Sequence, residues 1–311
     1  MAVQFSEVRY KNFGRCLKIE NAFAELIVTL DIGPRVIRYS IRGGTNFMFE
    51  DKNRVVFRDE KAMMEYYGRG ACWYIYGGHR IWTAPEAWPG SYFPDNNRVR
   101  YEIRGNSVSF LPPPQRRNGI QMELVVELEE YSTRVRVTNK VTNIEETEKE
   151  FSVWALSVLA PGGLEIVPFN RHDTGLLSNR TMAIWPYTEM DDKRVVWGKE
   201  YFTLRQDKRS AKNFKVGTDN RRGWAAYCLK DAMFVKELPY IEGAVYPDGG
   251  MNFETYTCNN FLEMESLSPL QKVAPGESIE HTEYWSLIDE VKAPKPGDFA
   301  AIGALVGRFI E

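Results

Sequence analysis

Hydrophobic and polar residues alternate with a period of two over many short segments of the chain. Residues 24–41 alternate on both sides of the break at Gly33-Pro34, which predicts two strands joined by a turn. Residues 122–128 and 135–141 alternate in the same way and predict an antiparallel pair. Residues 151–159 are apolar on both faces, so we expect a central strand that is buried between layers.

Only the C-terminal tail has a helical pattern. Residues 298–310 place Phe299, Ile302 and Val306 on roughly one stripe, and Asp298 can cap the helix. Residues 53–67 predict a loop with one helical turn, and the basic, polar residues 208–217 predict a solvated connection. No repeat or linker divides the chain. The pattern therefore predicts a single all-β domain over residues 1–311, a large antiparallel β-sandwich with few short helices.

The segment 77–96 holds the densest group of candidate functional side chains. It combines one histidine, one arginine, two carboxylates, an amide and four aromatic rings. Its glycines and prolines predict a mostly irregular loop, and long loops inside compact domains are usually functional. Flat rings beside hydrogen-bonding side chains suit a sugar, which has an apolar face and a rim of hydroxyls. The alternative is a structural loop whose rings close the end of a core.

Three histidines and one pair of glutamates can be weighed individually. His281 lies in an ordinary alternating strand and is interpreted as structural. His79 and His172 each lie beside turn residues and an arginine, where a half-buried structural histidine is the alternative to a functional one. Glu263 and Glu265 share one face of a strand predicted over residues 255–266. They are either solvated edge carboxylates or part of a site at the strand's end.

Composition and charge exclude several classes of function. The 311 residues are 43% hydrophobic and 26% charged, with a net charge of −2 and both signs mixed along the chain. This balance argues against nucleic-acid and anionic-membrane binding. Without an apolar signal segment or membrane span, we expect a cytoplasmic location. The four cysteines are far apart, which favours reduced core thiols. No metal-ligand spacing or phosphate-binding glycine loop is present, so neither a metal nor a cofactor is predicted.

Three segments resemble the galactose-mutarotase-like superfamily, which includes the aldose 1-epimerases. They are residues 26–42 with the turn at Gly33-Pro34, the Gly-Gly-His-Arg-Ile-Trp run at 77–82, and residues 263–278 with their Ala-Pro-Gly-Glu-Ser ending. The similarity covers nearly the whole chain and is greater to aldose-epimerase-like branches than to the galactose mutarotases themselves. The resemblance implies a large antiparallel sandwich that binds a sugar on an open, concave sheet.

The resemblance also implies roles for individual residues. Aldose mutarotases open and reclose a hexose ring with a glutamate base and a histidine acid. By this resemblance Glu265 is the base, with Glu263 as its rival, His172 is the acid and His79 is the positioning histidine. The substrate-binding residues expected beside them are Arg80, Trp82, Glu86, Asp95, Asn170, Arg171, Glu263 and Arg35. The Asn-His-x-Tyr-Phe-Asn motif of the mutarotases is replaced here by Pro-Phe-Asn-Arg-His-Asp at 168–173.

Three functions remain open from the sequence. The first is an aldose 1-epimerase or mutarotase acting on a hexose. Arg35, Arg80, Arg98 and Arg171 favour an acidic or phosphorylated sugar, because guanidinium groups bind such anions bidentately. The second is a non-catalytic sugar-binding or sensing protein with the same fold. The third is a polysaccharide lyase-like enzyme. The expected partner is a small carbohydrate, and the expected state is a monomer or homodimer.

Overall fold

The computed structural model describes residues 2–311, and β-strands form most of its regular structure. The strands are β1 (Gln4–Arg9), β2 (Arg15–Glu20), β3 (Ala24–Thr29), β4 (Val36–Ile41), β5 (Phe57–Arg58), β6 (Trp73–Tyr74), β7 (Gly78–Ala84), β8 (Arg100–Arg104), β9 (Ser107–Leu111), β10 (Ile120–Leu128), β11 (Val135–Asn143), β12 (Lys149–Leu159), β13 (Leu164–Pro168), β14 (Met182–Ile184), β15 (Val195–Trp197), β16 (Tyr201–Arg205), β17 (Phe214–Thr218), β18 (Trp224–Leu229), β19 (Ala232–Glu237), β20 (Phe253–Thr257), β21 (Leu262–Leu267), β22 (Gln271–Val273) and β23 (Ser278–Asp289). The helices are α1 (Lys61–Tyr67), α2 (Pro247–Gly250) and α3 (Phe299–Phe309).

Two large antiparallel sheets contain nearly all of these strands. The eleven-stranded sheet runs in the order β1-β2-β3-β4-β7-β12-β21-β20-β17-β14, and β22 pairs with β12 outside this path. The ten-stranded sheet runs in the order β15-β16-β13-β18-β19-β23-β11-β10-β9-β8. The short strands β5 and β6 form a separate pair. The predicted all-β antiparallel sandwich is therefore confirmed.

The main core lies between the two sheets, and strand alternation determines which side chains enter it. Leu124 and Val126 of β10 belong to this core from the ten-stranded sheet. Val153 of β12 belongs to the same core from the eleven-stranded sheet, whereas its neighbour Trp154 belongs to a second apolar cluster on the opposite face. We call that opposite side of the eleven-stranded sheet its outer face. As predicted, β12 is a central strand, paired with β7 and β21.

Three local predictions differ from the structure. Residues 78–84 form β7 inside the eleven-stranded sheet, and the irregular loop begins only after Ala84. Residues 208–217 are not all a solvated connection, because β17 begins at Phe214 and Lys215 is buried. The predicted strand over residues 255–266 is two strands, β20 and β21, joined by a turn. In each case the secondary structure depends on pairing with neighbouring strands, which the sequence of a single segment does not reveal.

The C-terminal helix covers the outside of the ten-stranded sheet. Asp298 caps α3, since its Oδ1 accepts a hydrogen bond of 3.1 Å from the Ala301 amide. Ile302 and Val306 are buried in an apolar cluster with residues of β13, β16, β18 and β19. Across residues 2–311, no helix has both the length and the apolar character needed to cross a membrane. All four cysteines are free thiols, and three of them are buried.

Two glycines position β7 against its neighbours. Gly77 and Gly78 have φ angles of +100° and +67°. A Cβ atom at Gly77 would lie 2.0 Å from the Phe49 carbonyl oxygen, and one at Gly78 would lie 2.3 Å from that of Val36. Both contacts are with backbone atoms, which cannot relieve a clash by changing rotamer as a flexible side chain can. The Gly-Gly pair therefore has a structural explanation, which is the close packing of β7 against the adjacent backbone.

Gly78→Ala is expected to be more destabilising than the same change at Gly105. Gly105 also has a left-handed φ of +60°, but a Cβ atom there meets nothing within 4 Å. Its replacement should cost about 1–2 kcal/mol of backbone strain. Gly78→Ala adds a steric clash worth roughly another 1–3 kcal/mol. Urea unfolding of both variants measures the difference. Equal free energies of unfolding would contradict the packing role given to Gly78.

Candidate functional site

A cavity of about 440 Å³ opens on the outer face of the eleven-stranded sheet. Its floor crosses five adjacent strands, β7, β12, β21, β20 and β17. Alternation sends the odd-numbered glutamates of β21 to this face, while Leu262 and Met264 enter the core between the sheets. The walls come from residues 55–58 before and within β5, from Trp73 in β6, and from the loop 185–187 after β14. The cavity therefore combines a polar, charged floor with aromatic walls.

Glu263 is paired with Arg80 on the cavity floor. Arg80 Nη1 donates a hydrogen bond of 3.0 Å to Glu263 Oε1, and both side chains are less than one-tenth exposed. The Arg80 guanidinium lies 4.5 Å from the centre of the Trp82 ring and 5.6 Å from that of Trp73. Burial raises the pKa of Glu263, and the neighbouring Arg80 opposes the rise without cancelling it. Burial thus favours the protonated form of Glu263, which is the form that can donate a proton.

Glu265 is held by a lysine and a tryptophan. Lys215 Nζ and Trp154 Nε1 each donate a 2.9 Å hydrogen bond to Glu265 Oε2. Because both donors bind the same oxygen, the second oxygen, Oε1, is available to a ligand. Burial lowers the pKa of Lys215, but Glu265 and Glu254 outweigh burial and the net shift is upward. Lys215 therefore keeps its proton and acts as a fixed cation.

Glu254 provides a third carboxyl group beneath the floor. It is fully buried, and its Oε2 lies 2.7 Å from Lys215 Nζ. The contact lacks hydrogen-bond geometry, and within residues 2–311 neither oxygen of Glu254 has a hydrogen-bond partner. Burial raises the pKa of Glu254 well above its ordinary value, and the nearby Glu265 adds to the rise. Both effects favour the protonated form of Glu254, and Lys215 lies within ion-pair distance of both Glu254 and Glu265.

Aromatic rings surround these charges. The rings that line the cavity belong to Phe57, Trp73, Trp82, Tyr92, Trp154, Trp185, Tyr187, Tyr256 and Phe261. Two buried donors of lining residues, Trp73 Nε1 and Arg80 Nε, have no hydrogen-bond partner among residues 2–311. Both atoms are themselves shielded from solvent, so the polar lining of the cavity comes mainly from the charged side chains of Arg80, Lys215, Glu263 and Glu265. The site is therefore suited to a polar ligand with an apolar face.

The cavity brings together five of the residues expected from the sequence. They are Arg80, Trp82, Glu86, Glu263 and Glu265. Glu86 lies at the rim, where it is exposed and its Oε1 accepts a 2.6 Å hydrogen bond from the Tyr92 hydroxyl. Two of the five come from β7 and two from β21, which are separated in the sheet by β12. The other six expected residues lie elsewhere.

His79 lies in the core between the sheets, on the opposite face of β7 from Arg80. Its ring is 0% exposed, with Nε2 2.8 Å from Asn139 Oδ1 and Nδ1 2.9 Å from Ser157 Oγ. The Asn139 amide donates to the His281 carbonyl, which directs its Oδ1 toward His79. The imidazole therefore donates through Nε2 and accepts through Nδ1. With both nitrogens occupied, it has none to offer a ligand in the cavity.

His79 belongs to a buried polar network that supports β21 from behind. Lys236 Nζ lies 2.7 Å from Glu283 Oε1 and donates a 3.0 Å hydrogen bond to the Met264 carbonyl. Ser266 Oγ lies 2.6 Å from His281 Nε2 and donates to Glu283. His281 is thus structural, as the sequence pattern predicted. β21 has polar contacts on both faces, with the network behind it and the cavity in front.

His172 and its neighbours lie on the surface loop between β13 and β14. The His172 side chain is exposed and does not line the cavity. Arg171 forms ion pairs with Glu200 at 2.7 Å and with Glu311 at 3.1 Å. Asn170 is buried, and its amide donates to the Asn179 and Asp219 carbonyls. These contacts fix the loop to the ten-stranded sheet and the chain end, away from the cavity floor.

Arg35 and Asp95 pair with each other instead of facing the cavity. Arg35 Nη1 lies 2.5 Å from Asp95 Oδ2, and the arginine is 2% exposed. They line a separate, smaller space of about 30 Å³ beside the Gly33-Pro34 turn. Such a volume is about that of one water molecule. This pair therefore stabilises the turn and the 85–96 loop.

Several cavity residues were not predicted from the sequence. Lys215 lies between Phe214 and Val216, an alternation typical of a strand. The basic and polar residues that precede it favour a solvated connection instead, and they hide this pattern. Glu254 alternates with Phe253 and Thr255 in the same way. Trp154 lies in a strand that is apolar on both faces, so the sequence does not indicate which face carries the site. The loop 185–187 has no pattern that marks it.

Comparisons with solved structures show the same fold in proteins of very low sequence identity. A putative mutarotase from Salmonella typhimurium is 9% identical, covers 93% of this chain and 94% of its own, and gives a TM-score of 0.57. A galactose mutarotase-like protein from Lactobacillus casei is 8% identical over 88% of this chain and 100% of its own, with a TM-score of 0.55. A putative aldose 1-epimerase from Escherichia coli is 11% identical over 92% and 99%, with a TM-score of 0.52.

The comparisons with sequences found no match. No family model and no curated protein matches the chain. At identities of this size, structural similarity shows the fold alone. The chain thus has the galactose-mutarotase-like fold that the sequence resemblance indicated, and its chemistry must be argued from its own cavity.

The contribution of His79 and His281 to stability is expected to fall as the pH decreases from about 6.5 to 4, whereas the raised pKa values of Glu254 and Glu263 act in the opposite direction. Burial lowers the pKa of His79 and of His281 to about 4, although Glu283 opposes this and Lys236 adds to it. Between those pH values these two histidines bind protons in the unfolded chain but not in the folded one, so their contribution to the free energy of unfolding is lost in acid. Once a buried histidine is fully protonated, the free energy of unfolding is lower by roughly 3 kcal/mol per histidine. Urea unfolding at a series of pH values measures it.

His79→Gln provides the specific test of this explanation. The variant should reduce the pH dependence of the free energy of unfolding by about one proton between pH 6.5 and 4. His172→Gln, at an exposed position, is the matched control and should leave the dependence as in the wild type. An unchanged dependence in His79→Gln would show that the buried imidazole is not responsible.

Proposed function

We propose that this protein binds a neutral sugar in the outer-face cavity and accelerates exchange between its anomers by acid–base catalysis. The observation that carries the proposal is the pair Glu263 and Glu265. The two carboxyl groups lie on one face of β21, at the floor of an aromatic-lined cavity, and each has a different cationic partner. Different surroundings allow two carboxyl groups to divide the roles of acid and base between them.

Each carboxyl group has a proposed step. Glu265, neutralised by Lys215, removes the proton from the anomeric hydroxyl through its available Oε1. Glu263, whose pKa is raised by burial, gives a proton to the ring oxygen as the bond between that oxygen and the anomeric carbon breaks. The open-chain aldehyde rotates about the bond next to its carbonyl group. Reclosure returns both protons, so neither glutamate is changed at the end of the cycle.

Other cavity residues are proposed to bind and orient the sugar. Trp82 and Trp154 offer apolar surface to a ring face, and their planes are inclined by 72° with centroids 5.5 Å apart. Lys215 has a raised pKa and is too weak an acid to protonate the ring oxygen, so its role is electrostatic.

A neutral sugar fits the charges better than an anionic one. The four arginines that favoured an anion in the sequence are each close to a carboxylate: Arg35 to Asp95, Arg80 to Glu263, Arg98 to Asp31 and Arg171 to Glu200. Only Arg80 of the four lines the cavity. Binding a phosphate or carboxylate would bring it next to Glu265, the base of the proposed mechanism, where like charges repel. We therefore assign the cavity to an uncharged hexose.

Binding without turnover is the second candidate function. It is favoured by the positions of the histidines, because all three lie outside the residues that line the cavity. In this case Glu263 and Glu265 accept hydrogen bonds from sugar hydroxyls and transfer no proton. Saturable binding without faster anomer exchange distinguishes this function from the first. A lyase-like reaction has no specific support from the cavity. Cytoplasmic location and a monomeric or homodimeric state stay predictions.

Glu265→Gln is expected to reduce anomer exchange by roughly 100-fold or more, because an amide cannot accept the hydroxyl proton. Glu263→Gln should have a similar effect through loss of the acid. In Glu265→Gln the ammonium of Lys215 keeps Glu254 as a partner, so the variant should fold. Saturation-transfer NMR on neutral hexoses measures exchange, and thermal unfolding checks the fold.

Two control variants make this test specific. Glu280→Gln removes an exposed glutamate of β23 and should leave exchange unchanged. His172→Ala should also leave it unchanged, because this side chain lies on the surface loop. Loss of exchange in His172→Ala with normal rates in both cavity glutamine variants would overturn the proposed assignment. Sugar binding by a wild type that accelerates no exchange would establish the second candidate.

A further inference from the structure

We propose that the cavity continues into a second sugar subsite at Trp88, so that the ligand is a neutral glycan of at least two linked rings. This inference rests on the proposed function, since it assigns the first ring to the cavity of Glu263 and Glu265. It concerns a groove that the proposed anomer chemistry does not require. The groove has a volume of about 510 Å³ and lies beside the cavity.

The groove and the cavity have common walls. Arg58, Glu86, Tyr92 and Trp185 line both spaces, so the two are adjacent. At about 440 Å³ the cavity alone already falls within the range of about 300–1,000 Å³ typical of small-ligand sites. A single hexose therefore does not need the groove. A ligand that extends past these four residues would occupy both.

Trp88 gives the groove an aromatic surface. It is 48% exposed, although large aromatic side chains usually bury most of their area. Its ring is held edge-to-face against Tyr92, with centroids 5.1 Å apart, and the Arg58 guanidinium lies 6.0 Å from its centre. A tryptophan fixed by its neighbours but open to solvent can stack on the apolar face of a sugar ring at little entropic cost.

The charges of the groove favour an uncharged ring. Three carboxylates, Glu60, Glu86 and Asp248, line it together with one cation, Arg58. Arg58 lies 3.2 Å from Glu60, so the pair leaves Glu86 and Asp248 as the excess charge. Carboxylates accept hydrogen bonds from sugar hydroxyls. They would repel a uronate or a phosphorylated ring, so the second unit is assigned as a neutral sugar.

Trp88→Ala tests the second subsite. The wild type is first screened on a glycan array carrying mono-, di- and longer saccharides, and Kd values are then measured by calorimetry for the best disaccharide and its component monosaccharide. The wild type should bind the disaccharide more tightly. Trp88→Ala should weaken disaccharide binding by roughly tenfold, with little change for the monosaccharide. Trp88→Phe, which keeps a flat ring, should restore part of the affinity.

Tyr131→Ala is the matched control, because Tyr131 is an aromatic residue that is 72% exposed in the turn between β10 and β11. It should not affect either affinity. Equal wild-type affinities for mono- and disaccharides, unchanged in Trp88→Ala, would overturn the second subsite and leave the proposed function intact. A preference for uronate-containing glycans would overturn the assignment of a neutral ring. Binding of no saccharide would overturn both the subsite and the proposed function.

Discussion

The contacts of Arg80 with Glu263 and of Lys215 with Glu265 make the cavity possible. A carboxylate buried without a partner costs several kcal/mol, and two such groups on neighbouring positions of one face would also repel each other. Each pair joins strands that are not adjacent, since β12 separates β7 from β21 and β20 separates β21 from β17. The charges thus fix the relative position of five strands while keeping two reactive groups away from bulk water.

The position of β21 between two sets of polar contacts explains why the site is rigid. β21 presents Glu263 and Glu265 to the cavity, and on its other face Ser266 contacts His281 and Glu283. Lys236 binds the backbone of β21 from that side. Proton transfer requires acid and base to keep their geometry to within a fraction of an ångström, and a strand held on both faces provides this. The histidine network therefore supports the site without touching its ligand.

The sequence predicted the fold better than the site. Alternation over β3, β4, β10 and β11 is local information, and it was sufficient for the sandwich. It also placed Glu263 and Glu265 on one face. It could not assign that face to a cavity, because this depends on Lys215 and Trp154, which come from distant strands. His79 shows the limit most clearly: it directly precedes the cavity residue Arg80 in β7, and that single step along the strand puts it in the core.

The most direct test of the account is a crystal structure of the protein with a neutral saccharide identified by the binding screen. The account predicts a sugar ring on the outer face of the eleven-stranded sheet, stacked on an aromatic wall and within hydrogen-bond distance of Glu263 and Glu265. A sugar bound instead at the His172 loop, or at the Arg35–Asp95 pair with the cavity empty, would contradict the central claim.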